Sequence, residues 1–224
     1  MTLLSVNINK IATLRNARGG NIPNVLQAAL DIESFGANGI TVHPRPDGRH
    51  IKYQDVFDLK SNIQTELNVE GYPSDDFMAM VLSVQPHQVT LVPDPPNALT
   101  SNAGWNVMEE KKRLQECVSA LKKEGIRTSI FIDPKAEQIK AAAETGVDRV
   151  ELYTENFANQ FHQNPAMAIA PYVMAAQTAL EVKLGLNAGH DLSLQNLKYF
   201  NQHIPGLLEV SIGHALICDA LYLG

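Results

Sequence analysis

Gly39-Ile40-Thr41-Val42-His43-Pro44-Arg45-Pro46-Asp47-Gly48-Arg49-His50 is the stretch on which the reading of the chain turns. A short run of β-formers feeds straight into a histidine, and the segment beyond is too rich in Pro and Gly to continue any regular element. Between His43 and His50 lie two histidines, two arginines and one aspartate. An ionisable group at the end of a buried strand, followed by cationic side chains on a loop, suits a site that binds an anion and moves a proton.

The same device recurs along the chain. Strand-like runs are expected at Leu3–Ile8, Gly39–His43, Glu66–Glu70, Gln88–Pro93, Arg127–Asp133, Asp148–Tyr153, Lys183–Asn187 and Leu208–Ile212. Helical periodicity fills the intervals. The first helix has Pro23 near its start and Gly36 as a stop. Others run through Val56 and Leu59, from Ser74 as N-cap, through Leu114 to Gly125, from Pro134 to Gly146, after Pro165, from Ser193, and from about His214. Short apolar strands with helical returns mean a parallel sheet covered by helices. Eight such units close most economically into an α/β (β/α)8 TIM barrel, a single domain spanning residues 1–224. An open doubly wound sheet would offer a Gly-rich phosphate turn after the first strand, and Asn7-Ile8-Asn9-Lys10 contains no glycine.

Composition narrows the function. The chain has 224 residues, 45% of them apolar, enough for one large core. Neither a secretory signal nor a membrane-spanning run is read in the sequence. A net charge of −6 argues against nucleic acid as the main partner. Cys117 and Cys218 are expected to be small core residues of a reduced, cytoplasmic protein. Residues 1–50 nonetheless hold five Lys/Arg against three acids, a local cationic pocket suited to a phosphorylated metabolite.

The strand ends carry the chemistry. Asn7, His43, Glu70, Asp133, Glu151 with Tyr153, Asn187 before Gly189-His190-Asp191, and Gly213-His214 all fall at or just past a strand. In a barrel of parallel strands these ends share one mouth. His43, Glu70 and His190 are the expected proton-transfer groups: imidazole works near its own pKa, and burial lifts a carboxylate toward the same range. A metal held by two histidines and a carboxylate is the competing reading. Barrel hydrolases of that kind often carry a histidine pair on the first strand, where this chain has Asn7 and Asn9, and no metal is expected. Gly189-His190 and Gly213-His214 each place glycine where backbone N–H groups approach a ligand, ahead of a helix N-terminus. Asp94 to Asn106 reads either as a long surface loop or as a lid, hinged near Gly104, that excludes water when substrate binds.

Val6-Asn7-Ile8, Ile11-Ala12-Thr13-Leu14-Arg15-Asn16-Ala17-Arg18-Gly19, Gly39 to His43, Asn68-Val69-Glu70, Leu91-Val92-Pro93, Phe131-Ile132-Asp133, Asn187 to His190 and Ile212-Gly213-His214 together resemble the pyridoxine 5′-phosphate synthase family of the deoxyxylulose-dependent vitamin B6 pathway. The blocks occur in family order over nearly the whole chain. The resemblance implies a barrel that condenses 3-amino-2-oxopropyl phosphate with 1-deoxy-D-xylulose 5-phosphate, without metal or organic cofactor. It implies His43 and Glu70 as proton acceptors, His190 as donor, and Glu151 as a carboxylate assisting a cationic intermediate. It implies Asn7, Arg18, Gly213 and His214 as ligands of the aminoketone phosphate, and Arg45, His50 and Thr100 as ligands of the deoxyxylulose phosphate. A homo-octamer is implied as well.

Three departures from the family pattern stand out. Asn9-Lys10 replaces an Asp-His pair, and amide and ammonium groups suit binding a sugar hydroxyl or phosphate. Asp191 replaces a glycine, either beside a substrate phosphate or capping a helix that starts around Leu192. The last helix, ending at Gly224, is shorter than the pattern, which bears on barrel closure and oligomer contacts. The rival readings are another phosphosugar barrel, whether an isomerase or a Schiff-base aldolase using Lys10 or Lys135, and a barrel that only binds a phosphometabolite.

Overall fold

The structure, a computed structural model, describes residues 1–94 and 103–224. Its strands are β1 (Leu3–Asn7), β2 (Gly39–Val42), β3 (Glu66–Gly71), β4 (Gln88–Leu91), β5 (Arg127–Ile132), β6 (Arg149–Tyr153), β7 (Gly185–Gly189) and β8 (Leu207–Ile212). All pair in parallel with their sequence neighbours, and β1 pairs with β8 from Leu3↔Glu209 to Val6↔Ile212, so the ring is closed. This is the expected (β/α)8 barrel, and the ring closes through β8.

Alternation along each strand sorts the side chains. Val6, Ile40, Val42, Leu67, Val69, Val89, Leu91, Ile130, Ile132, Val150 and Leu152 belong to the buried core shared with the helices. The alternate positions inside the barrel are polar. Ser5 Oγ and Thr41 Oγ1 lie 2.7 Å apart, Asn68 donates to Thr41 Oγ1 at 3.3 Å, and Thr90 Oγ1 donates to Asn68 Oδ1 at 3.0 Å. Buried hydroxyls and amides are tolerated there because they satisfy one another.

The covering helices are α1 (Asn9–Arg18), α2 (Val25–Ser34), α3 (Tyr53–Asn62), α4 (Asp75–Val84), α5 (Val107–Lys123), α6 (Ala136–Ala143), α7 (Glu155–Phe161), α8 (Pro165–Glu181), α9 (Leu197–His203) and α10 (His214–Leu223). Ser74 caps α4 by accepting from Phe77 N, as expected. Two helices escape the periodicity reading. The α1 sequence has no apolar stripe, burying only Ala12 and Arg15, and α7 is a short extra turn before α8. Strand β7 starts two residues later than expected, because Lys183 takes a positive φ of 60° and Leu184 N still bonds Ala179 O at the end of α8. Ser193 opens a turn rather than a helix: its N–H donates to Asn196 Oδ1, and α9 begins one residue beyond Asn196. Cys117 packs half-buried against the core, but Cys218 sits on α10, none of whose residues is buried, so it is not a core residue. No helix of the described residues is long and apolar enough to cross a membrane.

Candidate active site

The carboxyl ends of the strands open into a cavity of about 480 Å³. Strand order brings to it side chains that are far apart in sequence. Asn7, Asn9 and Lys10 come from the β1–α1 junction, His43, Arg49 and His50 follow β2, and Glu70 stands on β3. Glu151 comes from β6, His190 and Asp191 follow β7, and Gly213 and His214 form the β8–α10 junction. Of the expected substrate ligands, Arg45 lines a smaller adjoining pocket with Tyr53, Tyr72 and Asp94. Arg18 does not line the cavity: it lies exposed in the last turn of α1, nine residues and ~13 Å of helical rise beyond Asn9. Thr100 and most of the expected lid lie outside the described residues. Gly104, expected as its hinge, is packed hard on β5: a Cβ there would come within 2.2 Å of Asp133 N. The indole N–H of Trp105 next to it donates to Leu91 O at 2.9 Å.

Local geometry explains each placement. Asn7 Oδ1 accepts from Asn9 N at 3.0 Å, and Asn9 Oδ1 accepts from the backbone N–H of His43 at 2.9 Å. The Asn9 amide oxygen therefore ties two strand ends together. The loop after β2 is clamped from α1. Buried Arg15 is bidentate to Asp55, at 2.5 and 2.9 Å, and also donates to His50 O, while Asn16 donates to Gly48 O and His50 O. Arg45 is buried against Asp94, with Nη2 to Oδ2 at 2.6 Å. Two glycines are required by close approach: a Cβ on Gly189 would stand 2.4 Å from Glu151 Oε1, and one on Gly213 2.6 Å from Asn7 O.

The electrostatics separate the groups into donors and acceptors. Burial, reinforced by Arg45, His50 and Arg49, holds the His43 imidazole well below its usual range. Burial and the same arginines push His50 down to about 4. Ile51 N donates to His50 Nδ1 at 2.9 Å, so the neutral ring carries its proton on Nε2. Glu70 is raised by burial to about 7, with Asp94 adding to the rise and His190 and Arg45 opposing it. Glu151, 3% exposed, is pushed well above the carboxyl range by burial and by Glu70 and Glu209. Burial opposes charge on His190, but the hydrogen bond and charge of Asp191, with Glu70 and Glu155, raise its pKa overall. His43 Nδ1 and Glu70 Oε2 are 3.9 Å apart, too far for a hydrogen bond but close enough to act on one small molecule. Burial and neighbouring charge thus hold two imidazoles down and two carboxyls up, while Asp191 draws the third imidazole toward its charged form. Groups whose environments pull their pKa values apart are how one pocket runs acid and base steps together.

Several lining groups were not among the expected site residues. Phe131 and Val92 form a small apolar cluster with Tyr153 against the cavity, with the Phe131 and Tyr153 ring centroids 5.2 Å apart. In sequence both read as strand core. Thr13 and Ser211 also line the cavity, and Arg49 does so while paired to Asp47 at 2.5 Å. Asp133, expected at the mouth, does not line the cavity: it accepts from Gly104 N at 3.3 Å and pairs with Lys135 at 3.5 Å. Asn187 lies deeper in the barrel, where Arg149 Nη1 approaches its Oδ1 at 3.4 Å. Among the described residues no group of three or more His, Cys, Asp or Glu is arranged to hold a metal ion.

A closed barrel with ionisable groups gathered at the carboxyl ends of its strands places the molecule in the class of (β/α)8-barrel enzymes. Solved barrels agree at the level of fold: the phosphoribosylanthranilate isomerase of Thermotoga maritima superposes with a TM-score of 0.60 at 13% identity, covering 96% of this chain and 88% of that one. The Pyrococcus furiosus N-(5′-phosphoribosyl)anthranilate isomerase gives 0.60 at 12%, covering 96% and 89%. Sequence is more specific. Residues 4–224 match the family described as pyridoxal phosphate biosynthesis protein PdxJ. A pyridoxine 5′-phosphate synthase of Bacteroides fragilis is 62% identical over all 224 residues, which span 94% of that protein. Those of Parabacteroides distasonis and Flavobacterium johnsoniae are 62% and 59% identical over the same coverage. The chain belongs to the PdxJ family and is an enzyme of vitamin B6 biosynthesis.

Proposed function

We propose that this enzyme is a pyridoxine 5′-phosphate synthase that joins 3-amino-2-oxopropyl phosphate to 1-deoxy-D-xylulose 5-phosphate, closes the ring, and releases pyridoxine 5′-phosphate, inorganic phosphate and water. The observation that carries the reading is the gathering in one cavity of His43, held low, and Glu70, raised to about 7, with His190 and Glu151, both raised. Amine–ketone condensation, dehydration and ring closure each need a proton removed at one atom and delivered at another. His43 and Glu70 accept protons, and His190 returns one. Burial favours the protonated form of Glu151, and a cationic intermediate beside it would favour the ionised form, since an adjacent positive charge lowers a carboxyl pKa.

Asn7, Lys10, Gly213 and His214 hold the aminoketone phosphate at the rim, where α10 begins and its N-terminal amides favour an anion. His50, as an Nε2–H donor, and Arg45 hold the sugar phosphate. Arg18 and Thr100 are assigned to the two phosphates on the family resemblance alone. We assign a homo-octamer on the same ground, and the cytoplasm from the free Cys117 and Cys218. An aldolase would need a desolvated lysine; Lys10 is exposed and Lys135 is engaged by Asp133. The test is to mix both substrates with pure protein and follow the fluorescent pyridine and phosphate release. His43→Ala, Glu70→Gln and His190→Ala are each expected to lose at least 10²-fold in kcat while remaining folded. Near-wild-type turnover in all three removes these assignments.

A further inference from the structure

His190 follows directly on β7 with a φ of 94°, a conformation that side-chain-bearing residues rarely adopt. Strain of this kind persists only when the surroundings enforce it, and the next residue shows how they do so. The backbone N–H of Asp191 donates to Thr154 Oγ1 at 3.1 Å, and its carbonyl accepts from Asn196 Nδ2 at 3.2 Å. Thr154 Oγ1 donates in turn to Gly189 O at 2.7 Å, so the turn from Gly189 to Asp191 is pinned on both sides. With the backbone fixed in this way, Asp191 Oδ2 lies 2.5 Å from His190 Nδ1. The edge-to-face contact of the Tyr153 and His190 rings, 5.0 Å between centroids at 88°, holds the imidazole plane.

We propose that Asp191 is a positioning residue that fixes the tautomer and orientation of His190, so that the ring works toward the cavity through Nε2. This deepens the reading of His190 as the proton donor and rests on it for the proton's destination. A carboxylate bonded to one ring nitrogen stabilises the imidazolium and sets which nitrogen faces the reaction. The direction of the His190 shift agrees, and the other ionisable groups facing the ring are Glu70 from β3, Tyr153 from β6 and Glu155 from α7. The contact also speaks against Asp191 as a direct ligand of a substrate phosphate, because two anions at that range repel.

The experiment compares wild type with Asp191→Asn, following the histidine ring nitrogens by ¹⁵N NMR and the pH dependence of kcat with both phosphorylated substrates. His190→Gln assigns the ring signals. In Asp191→Asn the His190 titration is expected to move to lower pH. The alkaline limb of kcat should move the same way, with kcat at pH 8 down on the order of tenfold. KM for each substrate should stay within about twofold. An unmoved His190 titration, or a raised KM with an unchanged pH profile, overturns the proposal. Should wild type show no turnover while the NMR shift is present, Asp191 keeps its positioning role and the reaction assignment falls instead. Asp191→Gly, read the same way, serves if the amide variant does not fold.

Discussion

The side-chain Oδ1 of Asn9 accepts the backbone N–H of His43 at 2.9 Å, so the residue that starts α1 sets the height at which the β2 histidine leaves the barrel. Asn9→Ala would leave that N–H, in a residue 7% exposed, without its acceptor, at a cost of about 1–3 kcal/mol. Asn9→Asp keeps an acceptor in place. The expected pattern is lost kcat and a lower melting temperature in the alanine variant, with both largely recovered in the aspartate variant. Equal loss in the two would mean that the amide N–H₂ of Asn9, not its oxygen, matters.

Glu70 gives a pH signature with a defined sign. Its folded pKa, about 7, lies above the ordinary 4.5, so between those values the folded chain keeps a proton that the unfolded chain has shed. The stability linked to this group is present below pH 4.5 and is lost as pH rises through about 7. Glu70→Gln removes the penalty, and at pH 8 should be more stable than wild type by up to about 3 kcal/mol, with no gain at pH 4. Melting curves of both proteins at the two pH values check this, and a variant less stable than wild type at pH 8 contradicts it.

His50 behaves in the opposite sense. With its pKa depressed to about 4, the folded ring resists protonation, and the stability it contributes at neutral pH is lost as pH falls from 6.5 through about 4. Because Ile51 N occupies Nδ1, the ring should show the Nε2–H neutral form in ¹⁵N spectra at pH 6. An imidazolium signal at that pH would show that the hydrogen bond does not hold in solution.

The Arg15–Asp55 clamp should bear on substrate affinity rather than on chemistry. Arg15→Lys cannot keep two bonds to Asp55 together with one to His50 O, and breaking a buried pair of this kind costs roughly 3 kcal/mol. Urea unfolding should register that loss. The freed loop should raise KM for the sugar phosphate we assign to His50 more than it lowers kcat. A fall in kcat with KM unchanged would argue that the loop is held by other means.

Gly189→Ala tests the crowding around Glu151. A methyl group there has 2.4 Å to the carboxyl oxygen, and relieving the clash means moving β7 or Glu151 at about 1–3 kcal/mol. Activity should fall along with stability. A fully active alanine variant would show that the Glu151 position is not critical.

The barrel is legible in the sequence because its evidence is local: short β-branched runs, helical periodicity between them, and an Asn, His or acid where most runs stop. His43, Glu70, Glu151, His190 and His214 are visible for that reason. What escapes is non-local or carries no periodic mark. The Arg15-Asn16 clamp sits on α1, which has almost no apolar face to reveal it as a helix. Phe131 and Val92 look like core until strand ends are placed around a ring. The bond from Asp191 to His190 depends on a left-handed turn that the residue types do not announce. Asp133 misleads because β5 stops one residue short of it, after which the chain turns away to pair with Lys135.

The missing methyl of Gly213 against Asn7 has a consequence for how the enzyme comes into being. The two residues stand far apart along the sequence, and β8 must dock beside β1 before they meet. A chain emerging from the ribosome therefore carries His43, Glu70, Glu151 and His190 before it owns a complete pocket. Catalytic competence should arrive in one step, when the last strand is seated.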